Sequence, residues 1–305
     1  MRLVSAFFRL IRWPNLMFIA LTQILFYFCI YLPLFAQPHT GKMVLLIFAS
    51  VLIAAAGYII NDYFDLNIDQ VNKPTKNVVD RVIHRRWAII WHLVLSVTGV
   101  FLTALAVRLD YWYLILANFT CVILLWFYST SFKRQLLIGN VVISLLTAWT
   151  ILVFFFAFTD PANAFNTNNE TSIKFFRLAF LYSGFAFIIS LIREAIKDME
   201  DMEGDARYGC KTLPIVTGVR TTKMYAGIWI VVLVAALAIL QVYVLQFGWW
   251  PSVVYAVLLV IIPLVISLLR LVKATSVQDF AKLSSATKLT MLAGILSMIF
   301  FCFYF

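Results

Sequence analysis

The sequence predicts an all-α, multi-pass membrane protein with nine transmembrane helices arranged around a central cavity. Of its 305 residues 63% are hydrophobic and only 12% are charged, and the mean hydropathy is +0.94. Soluble domains carry roughly a quarter charged residues, which excludes that class. Nine apolar runs also reach or approach the ~20 residues that are needed to cross ~30 Å of hydrocarbon. We expect residues 1–305 to form one domain.

The nine runs alternate with short polar loops along the whole chain. The first begins just after Arg9 and Arg12 and has no small-residue cleavage site, so we interpret it as a retained span and not as a signal peptide. Lys282 and Lys288 are assigned to the loop between the last two runs. The predicted runs are 14–35, 43–60, 87–107, 111–128, 136–158, 175–196, 224–244, 251–271 and 289–303.

The distribution of basic residues predicts the orientation of the chain. Twenty of the 24 Lys and Arg residues lie on the side of the N-terminus and four on the other side. By the positive-inside rule, the N-terminus is cytoplasmic and the C-terminus lies outside the cell membrane. The net charge of +10 is spread over these loops and forms no basic stripe, so we expect no nucleic-acid partner. The four cysteines show neither disulfide nor zinc spacing. Nothing in the sequence indicates the oligomeric state.

An acidic segment follows the second run. Asn61, Asp62, Asp65 and Asp69 come directly after the apolar residues, with the three carboxylates at i, i+3 and i+7. On one continuous helix these side chains share a face, where like charges repel unless a cation is bound. Carboxylate and amide oxygens suit Mg²⁺, which typically combines one or two carboxylates with substrate phosphates. The segment therefore predicts a site for a phosphate or diphosphate, whereas a lone Asp here would indicate only a polar helix end.

A second acidic segment follows the sixth run. Glu194, Asp198, Asp201 and Asp205 lie at i, i+4, i+7 and i+11, and the two segments together hold ten of the 14 carboxylates. A salt-bridged cytoplasmic helix is the alternative interpretation, and it fits Glu203 with Arg207 and also Glu200, so we expect these two glutamates to face solvent. It fits Asp198, Asp201 and Asp205 less well, because they share a face with Glu194, which lies within an apolar run.

Two motifs resemble those of the UbiA family of intramembrane prenyltransferases, and the resemblance covers essentially the whole chain. The stretch 193–205 and the loop 128–134 look most like the geranylgeranylglycerol-phosphate geranylgeranyltransferase branch. After Pro74 the chain departs from the family, because residues 75–81 replace the more usual Arg-Pro-Leu-x-x-Gly. The motifs are Asn61-Asp62-x-x-Asp65-x-x-x-Asp69 with Asn72-Lys73-Pro74, and Asp201-x-x-x-Asp205-x-x-x-Gly209-x-Lys211-Thr212-Leu213-Pro214.

The resemblance implies a role for each matching residue. It implies that Asn61 and Asp65 hold one Mg²⁺ and that Asp201 and Asp205 hold a second. Asp62, Asp69 and Asp198 would support these ligands or bind through water. The residues implied to clamp the diphosphate are Lys73, Lys133, Arg134 and Lys211, each of which could instead be an ordinary positive-inside residue.

Four further polar residues lie in or beside the apolar runs, and each has a functional and a structural interpretation or a structural one alone. Tyr128 could orient phosphate or shield a carbocation with its ring, or it could be an interfacial anchor. Asn15 could contact the prenyl acceptor or simply be a polar residue at a helix end. His92 and Asn118 are expected to make structural hydrogen bonds between helices.

The favoured function is Mg²⁺-dependent transfer of a polyprenyl group, geranylgeranyl by the resemblance, from its diphosphate to an acceptor such as geranylgeranylglycerol phosphate. The active site would then lie on the cytoplasmic side of the bilayer. An aromatic acid of quinone biosynthesis is the alternative acceptor. A transporter with paired acidic sites is the alternative from another class, but transporter sites usually lie near the bilayer midplane. A phosphotransferase of the CDP-alcohol type would need its acids in one frame, which neither segment supplies.

Overall fold

The structure is a computed structural model that describes residues 2–72, 83–107, 109–159 and 169–305. Within these ranges the chain is helical with no extended strand, and nine helical segments are long and apolar enough to cross a membrane. The all-α, nine-span fold class is therefore confirmed, while the orientation of the termini, the central cavity and the single domain stay predictions. Spans 1 to 9 are Trp13–Phe35, Thr40–Phe64, Arg85–Ala106, Trp112–Thr130, Ile138–Phe158, Glu170–Glu200, Val219–Leu245, Trp250–Lys273 and Val277–Tyr304.

Spans 6 and 9 extend furthest beyond their predicted apolar runs. Span 6 continues to Glu200, and span 9 begins at Val277, twelve residues before the predicted start. A capping box fixes that start: the Ser276 hydroxyl accepts from the Asp279 amide (3.2 Å), and the Asp279 carboxylate accepts from the Ser276 amide (3.0 Å). The assignment of Lys282 and Lys288 to a loop was wrong, because both lie within the helix of span 9.

Spans 1 and 8 each contain one stretch of π-helix. The stretches are Phe26–Tyr31 in span 1 and Val257–Ile261 in span 8, and a proline follows each of them two residues later, Pro33 and Pro263. Proline has no amide hydrogen for the helical ladder, and its ring clashes with the carbonyl four residues before it. π-Helix is rare and occurs mostly as a single widened turn inside an α-helix, and here one such turn comes just before each of the two prolines.

The described chain forms two compact units. The first comprises Met1–Lys133 and Trp149–Phe180, and its helices approach closely at small residues. A Cβ atom on Gly57 of span 2 would lie 2.8 Å from a Leu125 side-chain carbon of span 4, and one on Gly99 of span 3 would lie 2.7 Å from Ile53. Small residues at such crossings let the backbones of membrane helices pack tightly.

Buried polar and aromatic side chains add to the packing of the first unit. As predicted, His92 makes an interhelical hydrogen bond, with its Nδ1 3.0 Å from the carbonyl oxygen of Ala56. Asn118 also behaves as predicted, because it donates to the Thr103 hydroxyl (2.8 Å) and accepts from the Trp149 indole (2.9 Å). A separate cluster of aromatic rings joins the π-helical stretch of span 1 to spans 5 and 6 through Phe26, Tyr31, Phe155, Phe158 and Phe175.

The second unit comprises Arg134–Ala148 and Leu181–Phe305. Its apolar core joins span 6 to spans 7, 8 and 9, with Ile196, Ile230, Leu264 and Leu283 among the buried members. This core fixes the end of span 6, from which the second acidic segment emerges.

Candidate active site

The first acidic segment lies at a break between two helices. Span 2 ends at Phe64, Asp65 adopts φ −88° and ψ 0°, and a short helix follows over Leu66–Asn72. The amide of Asp65 still donates to the Asn61 carbonyl (2.9 Å), and that of Asp69 donates to the Asp65 carbonyl (2.8 Å). The prediction of one uninterrupted helical face over these residues was therefore wrong. Asn61 and the three aspartates are all half-buried.

Two cations already contact these acids within the first unit. The Arg12 guanidinium Nη2 lies 2.6 Å from a carboxylate oxygen of Asp62 and 3.3 Å from the amide oxygen of Asn61. The ammonium of Lys133 forms an ion pair with Asp65, and both side chains are largely buried, at 10% and 15% exposed. The two predicted Mg²⁺ ligands of this segment, Asn61 and Asp65, are thus each bound to a cation.

Arg12 is the functional candidate that the sequence analysis missed. It has a left-handed backbone (φ 50°, ψ 51°) between the short helix Arg2–Leu10 and span 1, a conformation that costs a residue with a Cβ roughly 1 kcal/mol or more. The guanidinium also lies over the Tyr58 ring, 5.2 Å from its centre. Burial is the largest single effect and lowers the pKa of Arg12, but the combined attraction of Asp62, Tyr58 and Asp69 and the hydrogen bond to Asp62 outweigh it, so the net pKa is raised and the charge persists.

The second acidic segment has the same backbone plan. Span 6 ends at Glu200, Asp201 adopts φ −95° and ψ 6°, and a short helix follows over Met202–Arg207. The amide of Asp201 donates to the Lys197 carbonyl (2.8 Å), and that of Asp205 donates to the Asp201 carbonyl (3.2 Å). The single helical face predicted here is also interrupted, one residue after the span ends.

The partners in this second segment differ from those in the first. The side-chain amide of Asn140 donates to Asp198 (2.9 Å), so a neutral group contacts this carboxylate. Asp198, Asp201 and Asp205 are half-buried, and so is Glu200, whereas Glu203 is exposed. The expectation of a solvent-facing side chain therefore holds for Glu203 and was wrong for Glu200.

Glu194 is buried in span 6 but belongs to a local cluster of ion pairs. Its carboxylate lies 3.2 Å from Arg193 Nη1 and 3.9 Å from Lys197 Nζ. These contacts offset the cost of burying the charge, so that the buried acid by itself does not indicate a metal ligand.

The remaining predicted site residues lie at other helix ends and in a loop, and the structure describes all of them except Lys73. Arg134 and Lys211 are exposed, and the Lys211 amide donates to the Arg134 carbonyl (2.7 Å), which brings these two residues of the second unit together. Tyr128 is half-buried two residues before the end of span 4. Asn15 is half-buried at the start of span 1, where its amide donates to the Arg12 carbonyl (2.8 Å). Lys73 lies outside the described residues.

The donor chemistry of both segments fits Mg²⁺. Across the described ranges no three His, Cys, Asp or Glu side chains converge as a ready-made metal cage. Mg²⁺ does not require one, because it is usually held by one or two carboxylates together with water and substrate phosphates. Each helix end provides half-buried carboxylate oxygens, and the first adds the amide oxygen of Asn61.

Comparisons with known proteins agree with this arrangement. The family model described as the UbiA prenyltransferase family matches residues 16–303. The digeranylgeranylglyceryl phosphate synthase of Korarchaeum cryptofilum is 30% identical over 265 residues, 86% of each chain. That of Methanosphaera stadtmanae is 29% identical over 248 residues, 81% of this chain and 82% of its own.

Solved structures show the same fold. A digeranylgeranylglyceryl phosphate synthase studied in membranes has a TM-score of 0.63 at 24% identity, covering 98% of this chain and 99% of its own. A UbiA homolog from Archaeoglobus fulgidus bound to GPP and Mg²⁺ has a TM-score of 0.60 at 16% identity, covering 96% and 99%.

Proposed function

Because this chain belongs to the UbiA prenyltransferase family and is an integral membrane prenyltransferase, we propose that it transfers a geranylgeranyl group to geranylgeranylglycerol phosphate. The observation that carries the choice of acceptor is the similarity, over more than four-fifths of both chains, to synthases of digeranylgeranylglyceryl phosphate. In the reaction, the allylic C–O bond to the diphosphate breaks. The acceptor hydroxyl oxygen bonds to the released carbon and loses its proton.

We assign the metal ligands to the two helix ends. Asn61 and Asp65 would hold one Mg²⁺, Asp201 and Asp205 a second, with Asp62, Asp69 and Asp198 supporting them directly or through water. When bound, the metal neutralises charge that develops on the leaving diphosphate. The shared backbone plan supports this assignment, because each span stops one residue before an aspartate and each places another aspartate four residues later.

The basic residues would bind the diphosphate as it leaves. Lys133 is the best supported, because its ammonium already contacts Asp65, a proposed metal ligand. Arg134 and Lys211 are joined through their backbones and both expose their side chains, so they are available to an anion. Lys73 is proposed on the sequence motif alone. Tyr128 and Asn15 are proposed to orient the substrates. We place this chemistry on the cytoplasmic side, following the distribution of basic residues.

The test is a product assay with purified protein in lipid nanodiscs. Geranylgeranyl diphosphate and Mg²⁺ are supplied with geranylgeranylglycerol phosphate or with an aromatic acid such as 4-hydroxybenzoate, and products are identified by mass. We expect a mass corresponding to addition of one geranylgeranyl group to the glycerol phosphate lipid, and loss of that product with a chelator or with Asp65→Ala.

A matched control is available on the second acidic segment. Glu203→Gln removes an exposed carboxylate from the same short helix that contains Asp205, and it should leave the rate unchanged. Product only with the aromatic acid would overturn the proposed acceptor. Product formed equally well with a chelator present would overturn the proposed metal dependence.

A further inference from the structure

A groove of about 670 Å³ runs between spans 7 and 8 in the second unit. Seven of its lining residues belong to span 7, and within residues 220–232 they follow the i, i+3, i+4, i+7 spacing of one helical face. Leu268, Leu271 and Val272 of span 8 line the other side. The volume is within the range of pockets that hold small molecules, roughly 300–1,000 Å³.

The groove is polar at one end and apolar along the rest of its length. Arg220 and Lys223 line the end at which span 7 begins, and no other lining residue has a polar side chain. The face 220–232 covers twelve steps of the helix, or ~18 Å. One leaflet is half of a hydrocarbon core of ~30 Å, so the groove is about as long as a lipid chain in that leaflet.

The polar end of the groove coincides with the end of a membrane-crossing helix. Span 7, Val219–Leu245, has 27 residues and is therefore ~40 Å long. That length matches a bilayer with its head-group regions, ~40–45 Å. Arg220 is the second residue of this span and Lys223 the fifth. A helix of this length that crosses the bilayer has these first residues among the lipid head groups.

The positive charge at this end is not neutralised within the two spans. Neither span contains an aspartate or a glutamate. Their basic residues all lie in the first turns of span 7 or in the last turn of span 8, and they are Arg220, Lys223, Arg270 and Lys273. Among the described residues the exposed guanidinium of Arg220 forms no ion pair. An anion at this end of the groove would therefore be attracted by uncompensated charge.

Lys223 holds the two spans together at the same end. Its ammonium donates to the carbonyl oxygen of Val272 (3.3 Å) and to that of Ala274. These bonds to neutral groups fix the position of the ammonium, keep its charge and use two of its three N–H groups. Arg220 is three residues away on the helix, which places the two Cβ atoms roughly 5–6 Å apart, close enough for both side chains to reach one phosphate.

We propose that this groove binds an anionic phospholipid of the membrane, with its phosphate at Arg220 and Lys223 and one hydrocarbon chain along the apolar face. The planar guanidinium of an arginine matches phosphate oxygens, and a lysine adds a point charge. Basic pockets between transmembrane helices are a recurrent site for anionic head groups. The ligand is a lipid of the bilayer and not a substrate, so the site is independent of the proposed function.

The charge distribution favours a lipid over a second copy of this chain. A two-fold symmetric contact through the groove would place the same surface on both sides of the interface. It would bring two sets of basic residues together, and neither span 7 nor span 8 has a carboxylate to pair with them. A phospholipid supplies the negative charge that such a contact lacks.

The experiment is native mass spectrometry of the full chain, released from detergent micelles and titrated with phosphatidylglycerol or with zwitterionic phosphatidylcholine of the same chain length. We expect phosphatidylglycerol to bind more tightly. Arg220→Gln should raise its Kd about tenfold or more, the effect of losing a hydrogen bond to a charged group, and should remove most of the preference. Arg220→Lys should retain most of the affinity, because the charge is kept.

Arg270→Gln is the matched control for charge. It removes an exposed arginine from the last turn of span 8, but Arg270 lies ~200° around the helix from Leu268 and from Val272, which line the groove. Because this side chain points away from the groove and is screened by solvent, its loss should change the Kd by less than about twofold.

Gly227→Leu tests the apolar part of the groove. A Cβ atom on Gly227 would lie 3.4 Å from a Leu268 side-chain carbon, an ordinary contact, so the backbone tolerates a side chain whose other carbons occupy the groove. We expect the Kd for both lipids to rise about tenfold or more, since each methylene that is excluded from the groove contributes to binding. The melting temperature should equal that of the unmodified protein.

The outcomes that contradict the proposal are distinct. Equal affinity for the two lipids, or a Kd for phosphatidylglycerol that Arg220→Gln leaves unchanged, would overturn it. So would a dimer that Gly227→Leu dissociates, which would assign the groove to a second copy. Displacement of the bound lipid by an equal concentration of geranylgeranyl diphosphate would assign the groove to a substrate and also overturn it. If Gly227→Leu does not fold, the comparison of Arg220→Gln with Arg270→Gln decides.

Discussion

The two acidic helix ends share a backbone but differ in their electrostatic partners. Each span stops before an aspartate with nearly the same dihedral angles, and a short helix follows. In the first segment, Asp62 contacts Arg12 and Asp65 contacts Lys133, so two carboxylates are bound to cations. In the second, Asp198 contacts the neutral amide of Asn140. The two helix ends thus have similar backbone geometry, but the carboxylates at Asp62 and Asp65 contact cations and that of Asp198 contacts a neutral group.

This difference suggests a division of labour between the two segments. An ion pair fixes the position of a carboxylate and lowers its net attraction for a metal, whereas a hydrogen bond from a neutral amide fixes the position without adding a competing cation. We therefore expect the first segment to bind Mg²⁺ only after Arg12 and Lys133 are displaced from its carboxylates. The first segment would release its cations to the diphosphate when the substrate binds.

The largest expected effect comes from the aspartates at the two breaks. Asp65→Asn and Asp201→Asn each keep the shape but remove the charge, and each should lower kcat/KM for geranylgeranyl diphosphate by about 10²- to 10³-fold or more, the loss typical of one charge-stabilising group. Steady-state product assays measure kcat/KM for both variants, and Glu203→Gln is the control. If only one of the two variants loses activity, the segments do not hold equivalent metals, and the comparison fails.

A smaller effect is expected from the two partners that differ. Arg12→Gln leaves Asp62 half-buried without its cation and should lower kcat/KM by about 10- to 100-fold, as the loss of groups that support metal ligands typically does. Asn140→Ala removes a neutral hydrogen bond to Asp198 and should cost less than tenfold, because such bonds contribute about 1 kcal/mol. Product assays over a range of Mg²⁺ concentrations compare kcat/KM of the two variants with that of the unmodified protein.

Arg12→Gly is the control for backbone strain at this position. Glycine adopts the left-handed conformation without penalty, so this variant keeps the turn and removes the charge. Equal losses for Arg12→Gly and Arg12→Gln would identify the charge as the cause. Full activity in Arg12→Gly would show that Arg12 is only a turn residue.

The smallest effect concerns the packing that supports the first segment. Gly57→Ala places a Cβ atom 2.8 Å from a terminal carbon of Leu125, a flexible side chain that can shift. We expect a loss of about 1–2 kcal/mol in stability and less than a tenfold loss of activity, because overpacking displaces span 4 and Lys133 after it. Thermal unfolding in nanodiscs measures the loss of stability. Gly41→Ala is the control, because among the described residues no atom beyond its own helix backbone and chain neighbours would lie within 4 Å of a Cβ there. A melting temperature equal to that of the control would contradict the tight approach.

Periodicity and composition were sufficient to predict the nine spans and the two acidic segments, because hydrocarbon thickness and the cost of buried charge act locally. They failed where the determinants are distant in sequence. Arg12 was counted as a positive-inside residue, since its contact with Asp62 joins positions 50 residues apart. Lys288 was placed in a loop because its charge shortens the apolar run, although Ser276 and Asp279 carried a capping signal.

The helix breaks at Asp65 and Asp201 were missed for another reason. Neither position has a glycine or proline to indicate a break, and the backbone amides on both sides still follow the helical i to i−4 pattern. The bend at each aspartate therefore keeps these backbone hydrogen bonds, but it changes the dihedral angles enough to end the regular helix. An ideal helical wheel that is continued past either aspartate therefore gives the wrong direction for the side chains that follow it.

The π-helical stretch in span 1 also sets the rotational phase of Arg12. Each residue of an α-helix turns the chain by ~100°, so the extra residue in the widened turn changes which way everything before it points. Deleting one residue within Phe26–Tyr31 would restore ordinary helical winding there. It would also swing the guanidinium away from Asp62 and towards another side of the helix, although the deletion itself lies at least fourteen positions along the chain from Arg12.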